Sequence, residues 1–347
     1  MPQNDRFLNA CKGQPVDRMP VWLMRQAGRY MPEYRAVRKR HSFLEMIGSP
    51  QLASEITLQP IHAFDLDAAI IFSDILPTLC ELGFEIDYVD SVGPVIGNPV
   101  QSPDDIGRLH APGNHAQAHA TCEAIRMTCT ALGGRIPLIG FAGAPFTLAA
   151  YAIEGGSSSS FLAAKRFLRE HPKLFHVLLG RIAEAVSEYL LGQIDAGASA
   201  VQLFDSWAGV LGPADFAEFA LPYARQVIDT IEQAGVPRIY FSTSTSGLLP
   251  QLRDTGADVV GIDWRVSIAH ARSILGHDVT IQGNLDPTVL LSSEREVKRQ
   301  ARMVLDEMNA APRYIFNLGH GVLKETPVDR VRELVDFVHS YEPGKNP

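Results

Sequence analysis

Eight short apolar runs, spaced by segments of helical pattern, constrain this chain more than any other feature of its sequence. They are Pro20 to Met24, Ala68 to Phe72, Pro137 to Phe141, Ala200 to Phe204, Arg238 to Phe241, Val259 to Ile262, Val279 to Gln282 and Arg313 to Phe316. Short runs without polar alternation suit strands covered on both faces, and strands that alternate with helices pair in parallel. Eight is also the number that closes such a sheet and removes its edges. The expected fold is therefore α/β: a single (β/α)8 TIM-type barrel with its active site at the C-terminal ends of the strands, one domain over residues 1–347. Helices are expected at Ser49 to Ala63, Leu162 to Ala196, Ala214 to Ala234 and Glu294 to Asn309, some stopped by glycine as at Gly197 and Gly235. Residues 83–103 break the pattern. Their alternation around Phe84, Ile86, Tyr88 and Val89, with Gly and Pro between, predicts an irregular excursion or hairpin above the barrel.

Composition narrows the function classes. Hydrophobic residues make up 46% and charged residues 20% of the chain, the proportions of a globular protein. With 31 Lys and Arg against 39 Asp and Glu the net charge is −8, which argues against nucleic acid as a partner. The four cysteines form no Cys-x-x-Cys pair and the N-terminus does not read as a signal peptide, so a cytoplasmic location is expected. Ile136 to Ile153 carries no charge, but Pro137, Gly140, Gly143 and Pro145 within it suit a buried strand and a helix start, not a membrane span. Phosphate-binding and dinucleotide-binding glycine loops, His-Glu-x-x-His and Gly-x-Ser-x-Gly are all missing from the sequence, so no cofactor and no metal are expected.

Against this acidic background the positive charge is local. Between positions 25 and 40 stand Arg25, Arg29, Arg35, Arg38, Lys39 and Arg40 with the single acid Glu33. Arginine forks bind carboxylate or phosphate in bidentate fashion, and Gly28 lets the backbone turn between two of them. A solvated basic helix face is the plain alternative. The other runs also deliver polar residues at their ends: Ser73 and Asp74 after the second, the Gly140 to Thr147 segment with Tyr151 after the third, Asp205-Ser206-Trp207 after the fourth, Gly283 to Pro287 after the seventh, and Asn317 to Gly321 with His320 after the eighth. Singly, Asp74 and Ser206 suit helix caps, Asp205 an arginine partner, His320 a core histidine and Tyr151 simple packing. None of these plain readings explains why all of them fall at strand exits.

Six of these segments, taken in order, resemble uroporphyrinogen decarboxylase: Met24-Arg-Gln-Ala-Gly-Arg-Tyr30, Phe72-Ser-Asp-Ile75, Gly143-Ala-Pro-Phe-Thr147, Phe204-Asp-Ser-Trp207, Gln282-Gly-Asn-Leu-Asp-Pro287 and Asn317-Leu-Gly-His-Gly321. The hydroxyl-rich Ser242 to Ser246 segment departs from the family pattern. The resemblance implies cofactor-free removal of the four acetate carboxyl groups of uroporphyrinogen III, giving coproporphyrinogen III for haem synthesis. It assigns Asp74, Arg25 and Tyr151 to catalysis. Arg25, Gln26, Ala27, Gly28, Arg29, Arg38, Asp74, Tyr151, Ser206 and His320 are assigned to substrate binding. It also implies a homodimer with facing clefts.

The residues agree with that chemistry. Decarboxylation needs an electron sink, usually a cofactor. A reduced tetrapyrrole becomes its own sink once a pyrrole carbon is protonated, so the protein need add only an anion under the ring and cations around its carboxylates. Two rivals remain at this level. A methyltransferase of the same superfamily resembles a zinc enzyme with a His-x-Cys pair, which this sequence lacks. A tetrapyrrole carrier without turnover shares the fold but gives Asp74 no task.

Overall fold

A computed structural model describes residues 5–89, 92–111, 116–308 and 313–342. Nine strands are found among them: β1 (Ala69–Ile70), β2 (Ile86–Val89), β3 (Gly93–Ile96), β4 (Leu138–Gly143), β5 (Ala200–Asp205), β6 (Arg238–Ser242), β7 (Val259–Gly261), β8 (Thr280–Leu285) and β9 (Tyr314–Leu318). Seven form a curled parallel sheet in the order β1-β4-β5-β6-β7-β8-β9, each neighbour in register with the next. These seven match the second to eighth apolar runs. Their burial explains the runs: β4, β7, β8 and β9 are buried along their whole length because one face looks inward and the other carries helices.

The first run does not become a strand, and its donors show why. Only Trp22 N–H reaches a neighbouring strand, at the Phe316 carbonyl (3.4 Å). Val21 N–H donates to Asp67 Oδ2 (2.8 Å), Leu23 N–H to Gln26 Oε1 (3.2 Å) and Met24 N–H to Asn317 Oδ1 (3.0 Å). Side-chain oxygens take the bonds that a strand partner would take, leaving one parallel bridge between Val21 and Phe316. The ladder among the described residues therefore counts seven strands, not the eight expected.

Two cores flank the sheet. Inward-facing Trp22, Met24, Ala68, Ile139, Ala200, Ile239, Phe241, Val259 and Ile315 pack with Phe7, Ala10 and Cys11 of the Arg6–Cys11 helix, which lies across the N-terminal ends of the strands. Thr280 Oγ1 ties that helix down by donating to the Ala10 carbonyl (2.9 Å). Within the same interior, Trp22 Nε1 donates to Gln282 Oε1 and Gln282 Nε2 to Gln202 Oε1, each at 3.0 Å, a chain of buried groups that ends on Gln202 Nε2 without a partner. The larger core joins the outer faces of the strands to the helices.

Helices depart from expectation at two places. The segment Leu162 to Ala196 divides into Leu162–Glu170 and Pro172–Asp195, because Pro172 cannot donate into a continuing helix and biases His171 away from helical backbone. Ala214 to Ala234 is interrupted by a π turn at Phe216–Ala220 ahead of the Leu221–Ile231 helix, and it closes in a 3-10 turn, Glu232–Ala234. The segment at Glu294 forms the helix Glu294–Met308; its expected last residue, Asn309, lies outside the described residues. Residues 83–103 contain the antiparallel pair β2–β3, whose connecting residues 90 and 91 also lie outside. This hairpin rests on the end of the Pro145–Glu154 helix: Ile96 N–H donates to the Gly155 carbonyl (2.9 Å), and Val95 bridges Gly156. A Cβ on Gly156 would sit 2.8 Å from the Pro94 carbonyl oxygen, so only glycine permits this approach. Among the described residues no helix is long and apolar enough to cross a membrane.

Candidate active site

The strand exits converge on one side of the sheet. Arg25 opens that side with left-handed backbone (φ 58°), an uncommon state for a non-glycine residue, and its side chain runs over Gly321. A Cβ at Gly321 would collide with Arg25 Cδ, so the glycine after His320 makes the place for this arginine. The guanidinium is open to solvent yet walled by protein. Burial lowers its pKa from the ordinary value; Asp74 and Tyr151 act to raise it and Arg29 to lower it.

Asp74 follows β1 and faces Arg25. Its Oδ1 accepts the Leu76 N–H (3.0 Å) just ahead of the Pro77–Glu81 helix, an Asx turn that partly satisfies the plain capping reading. Burial pushes the carboxyl above the usual carboxylate range, opposed by the Leu76 N–H, the Tyr88 hydroxyl, the Ile75 N–H and Arg25. Tyr151, on the Pro145–Glu154 helix, is 8% exposed and meets Phe161 and Trp207 edge-on at 6.0 and 6.2 Å. Its phenol is raised chiefly by burial and feels both Asp74 and Arg25. His320 Nδ1 accepts the Gly321 N–H (2.8 Å), so the neutral ring carries its proton on Nε2. Burial and the nearby Arg25 push its pKa down to about 4. Arg25, Asp74, Tyr151 and His320 thus form one electrostatic group, with Arg29 coupled to it through Arg25.

Other candidates stand apart from this group. Gln26 is 1% exposed, and both ends of its amide are used by backbone: Oε1 accepts the Leu23 N–H, and Nε2 donates to the Ala68 carbonyl (3.3 Å). Its own carbonyl accepts the Tyr30 hydroxyl (2.6 Å), so Gln26 sets the shape of the loop bearing both arginines. Ala27 and Gly28 are half-buried in that loop. Arg38 sits on the Pro32–Arg38 helix and donates to the His41 carbonyl (3.1 Å); it meets the influence of Arg29 only at Tyr34. Ser206 is half-buried after β5, and its carbonyl accepts the Thr243 hydroxyl (2.9 Å).

Two features at the same side escaped the sequence reading. After β7, Asp263 accepts the Ser244 N–H (2.6 Å) and the Arg265 guanidinium, which in turn lies 4.3 Å over the Trp264 ring. This exit was unmarked because no glycine follows the run Val259 to Ile262, though Asp-Trp-Arg after a strand was a usable signal. The second is Tyr88 of β2, whose phenol is raised by burial and by the nearby charge of Asp74. Among the described residues no three His, Cys, Asp or Glu side chains gather to hold a metal ion.

Comparison with known proteins follows the same residues. The family model for uroporphyrinogen decarboxylase (URO-D) matches residues 2–341. The chain belongs to this family. A uroporphyrinogen decarboxylase of Chloroflexus aggregans is 51% identical over 341 residues, covering 97% of this chain and 96% of that protein. One from Roseiflexus sp. is 52% identical over 343 residues, covering 97% and 99%. Among solved structures, a methyltransferase from Methanosarcina mazei superposes with a TM-score of 0.77 at 20% identity over 96% of this chain and 97% of that one, a likeness of fold alone. The family thus has methyltransferase neighbours in shape, while its sequence relatives are decarboxylases by name.

Proposed function

We propose that this chain decarboxylates uroporphyrinogen III to coproporphyrinogen III, using no cofactor. The observation that carries the reading is a half-buried carboxylate, Asp74, within the influence of Arg25 at the strand exits in the pattern of a decarboxylase family. An ionised Asp74 would accept the pyrrole N–H groups of the reduced ring. Protonation of a pyrrole carbon then gives a cationic ring whose charge lies over that anion, a preorganised stabilisation. The bond from the acetate methylene to its carboxyl carbon breaks, CO₂ leaves, and the electron pair returns to the ring. A second proton turns the exocyclic methylene into a methyl group, and the ring carbon gives up the first proton, which restores the neutral pyrrole; the net uptake is one proton for each CO₂ released.

Arg25 and Arg29 orient the carboxylates, Arg25 close enough to the anion to hold the reacting acetate. Its pKa, lowered from the ordinary guanidinium value, supports Arg25 as a proton donor. Tyr151, neutral His320 through Nε2–H, Ser206 and Arg38 contribute further polar contacts to side chains of the substrate. Gln26, Ala27 and Gly28 act by shaping the arginine loop.

The finer architecture belongs to the same reading. We take the chain as a single barrel domain in which the Pro20 to Met24 run completes an eight-membered ring. The Val21–Phe316 bridge on one side and the bond from Asp67 N–H to the Val21 carbonyl (2.9 Å) on the other support this. A cytoplasmic homodimer that meets neither nucleic acid nor membrane completes it.

The test is an anaerobic incubation of the metal-stripped protein with uroporphyrinogen III, with products oxidised and separated by carboxyl number. Accumulation of the four-carboxyl product supports the reading. Bound but unchanged eight-carboxyl substrate overturns it in favour of a carrier.

A further inference from the structure

The exit of β7 is a closely bonded turn that ends in an arginine to which the proposed reaction gives no task. Asp263, 2% exposed, accepts the Arg265 N–H on Oδ1 (3.0 Å) and the Ser244 N–H on Oδ2 (2.6 Å). Asn284 of β8 donates through Nδ2 to the carbonyls of Asp263 (3.0 Å) and Val266 (2.7 Å), so one buried amide holds both ends of the turn. The hydroxyl-rich Ser242 to Ser246 segment joins it to the exit of β5. Ser242 Oγ donates to the Asp205 carbonyl (2.7 Å) and Thr243 Oγ1 to the Ser206 carbonyl (2.9 Å). The departure from the family pattern thus falls on the loop that anchors Asp263.

Two large side chains of this turn stay open to solvent: Trp264 is 36% exposed and the Arg265 side chain 46%. The guanidinium lies 4.3 Å over the Trp264 ring and donates through Nη1 to Asp263 Oδ2 (2.5 Å). Stacking takes a face of the fork and the ion pair one corner, which leaves in-plane donors free for an anion. Those donors hydrogen-bond no other side chain or carbonyl among the described residues.

The turn also borders the site. A Cβ on Gly319 would stand 2.6 Å from the Trp264 backbone nitrogen and 3.0 Å from Asp263 Cα, while one on Gly321 would meet the Arg25 side chain. The stretch Gly319-His320-Gly321 is therefore met by the β7 exit at its first glycine and by Arg25 at its last. His320 feels both arginines. Arg25 is the one that also feels Asp74.

We propose that Arg265 is a further substrate-binding residue, holding at the rim of the cleft a carboxylate of the tetrapyrrole other than the one being lost. The ring carries carboxylates around its whole edge, so cations spaced around the mouth can each take one. Arg25 and Arg29 serve from the first loop, and Arg265 serves from the exit of β7.

The inference rests on the decarboxylase reading, and its test separates the two. Wild-type turnover in the anaerobic assay tests that reading alone. Given turnover, Arg265→Gln raises KM for uroporphyrinogen III about tenfold with kcat within about twofold, the loss of one charge-assisted contact made equally in ground and transition states. Arg265→Lys keeps the charge and holds KM within about threefold of the wild type. The gap between wild type and Arg265→Gln narrows as salt rises to about 0.5 M, because an exposed contact is screened. An unmoved KM in Arg265→Gln would overturn the proposal. So would a KM raised equally in both variants together with a lowered melting temperature, which would make Arg265 only a structural partner of Asp263. Binding is read apart from activity in Asp74→Asn, where turnover is slowed: adding Arg265→Gln weakens anaerobic binding of uroporphyrinogen III about tenfold by ultrafiltration. If the wild type binds without turnover, the decarboxylase reading falls and this comparison still decides. Equal binding with and without Arg265→Gln overturns the proposal.

Discussion

Asp74 and Asp205 are both carboxylates at strand exits, the first half-buried and the second buried, and the chain treats them in opposite ways. Asp205, 1% exposed, accepts the Thr147 hydroxyl on one oxygen and the Tyr240 hydroxyl on the other, each at 2.6 Å. Thr147 passes the order on, since its Oγ1 also accepts the Trp207 N–H (3.1 Å). Asp74 accepts the Leu76 N–H on one oxygen and feels the charge of Arg25. Burial raises the carboxyl pKa in both. The difference lies in what remains to be bonded. Asp205 is closed by side chains of neighbouring elements, while Asp74 keeps acceptor capacity free, which is what the proposed ligand role asks of it.

The largest effect that sharpens this contrast is on rate. Asp74→Asn should fold and lose turnover by about 10²–10³-fold, the scale of removing a preorganised group from a developing charge. Its stability should move the other way. A carboxyl whose folded pKa is raised contributes stability below its unfolded value of about 3.9 and loses it as pH rises through the folded value. The melting temperature of Asp74→Asn should therefore overtake that of the wild type increasingly from about pH 4 upward; a constant difference across that window would break the contrast.

The next effect is on stability. Thr147→Val leaves one Asp205 oxygen without its donor and should cost about 1.5–3 kcal/mol, with kcat per folded molecule nearly unchanged. Thermal melting beside single-turnover assay checks both halves, and a rate loss at full stability would make Asp205 a second functional carboxylate.

The smallest effect is a titration. His320 should stay neutral by NMR down to about pH 4. Arg25→Ala, by removing a cation beside it, should raise that midpoint by a fraction of a unit, whereas no movement would separate His320 from the electrostatic group around Asp74.

Much of this site was readable in the sequence because strand exits in such a sheet are where polar residues and glycines have a use. Asp74, Tyr151 and His320 were found that way. What escaped depends on partners distant in the chain. Pro20 to Met24 has the composition of a strand, but Asp67 and Asn317 take its N–H groups, and no local pattern announces that. Gln26 sits in a binding motif, yet its amide is spent on backbone. Tyr88 alternates as a hairpin residue should, and only the docking of that hairpin brings its phenol within the influence of Asp74. The break at His171-Pro172 was missed in the expected helix Leu162 to Ala196, although its signal, the proline, is local.

The Arg6–Cys11 helix, which packs Phe7, Ala10 and Cys11 across the N-terminal ends of the strands, also sets the traffic of the site. With that end stoppered, a ligand entering among the strand exits must leave on the side by which it came. A macrocycle with several like groups to process is then turned at the mouth, one edge after another, and is never threaded through.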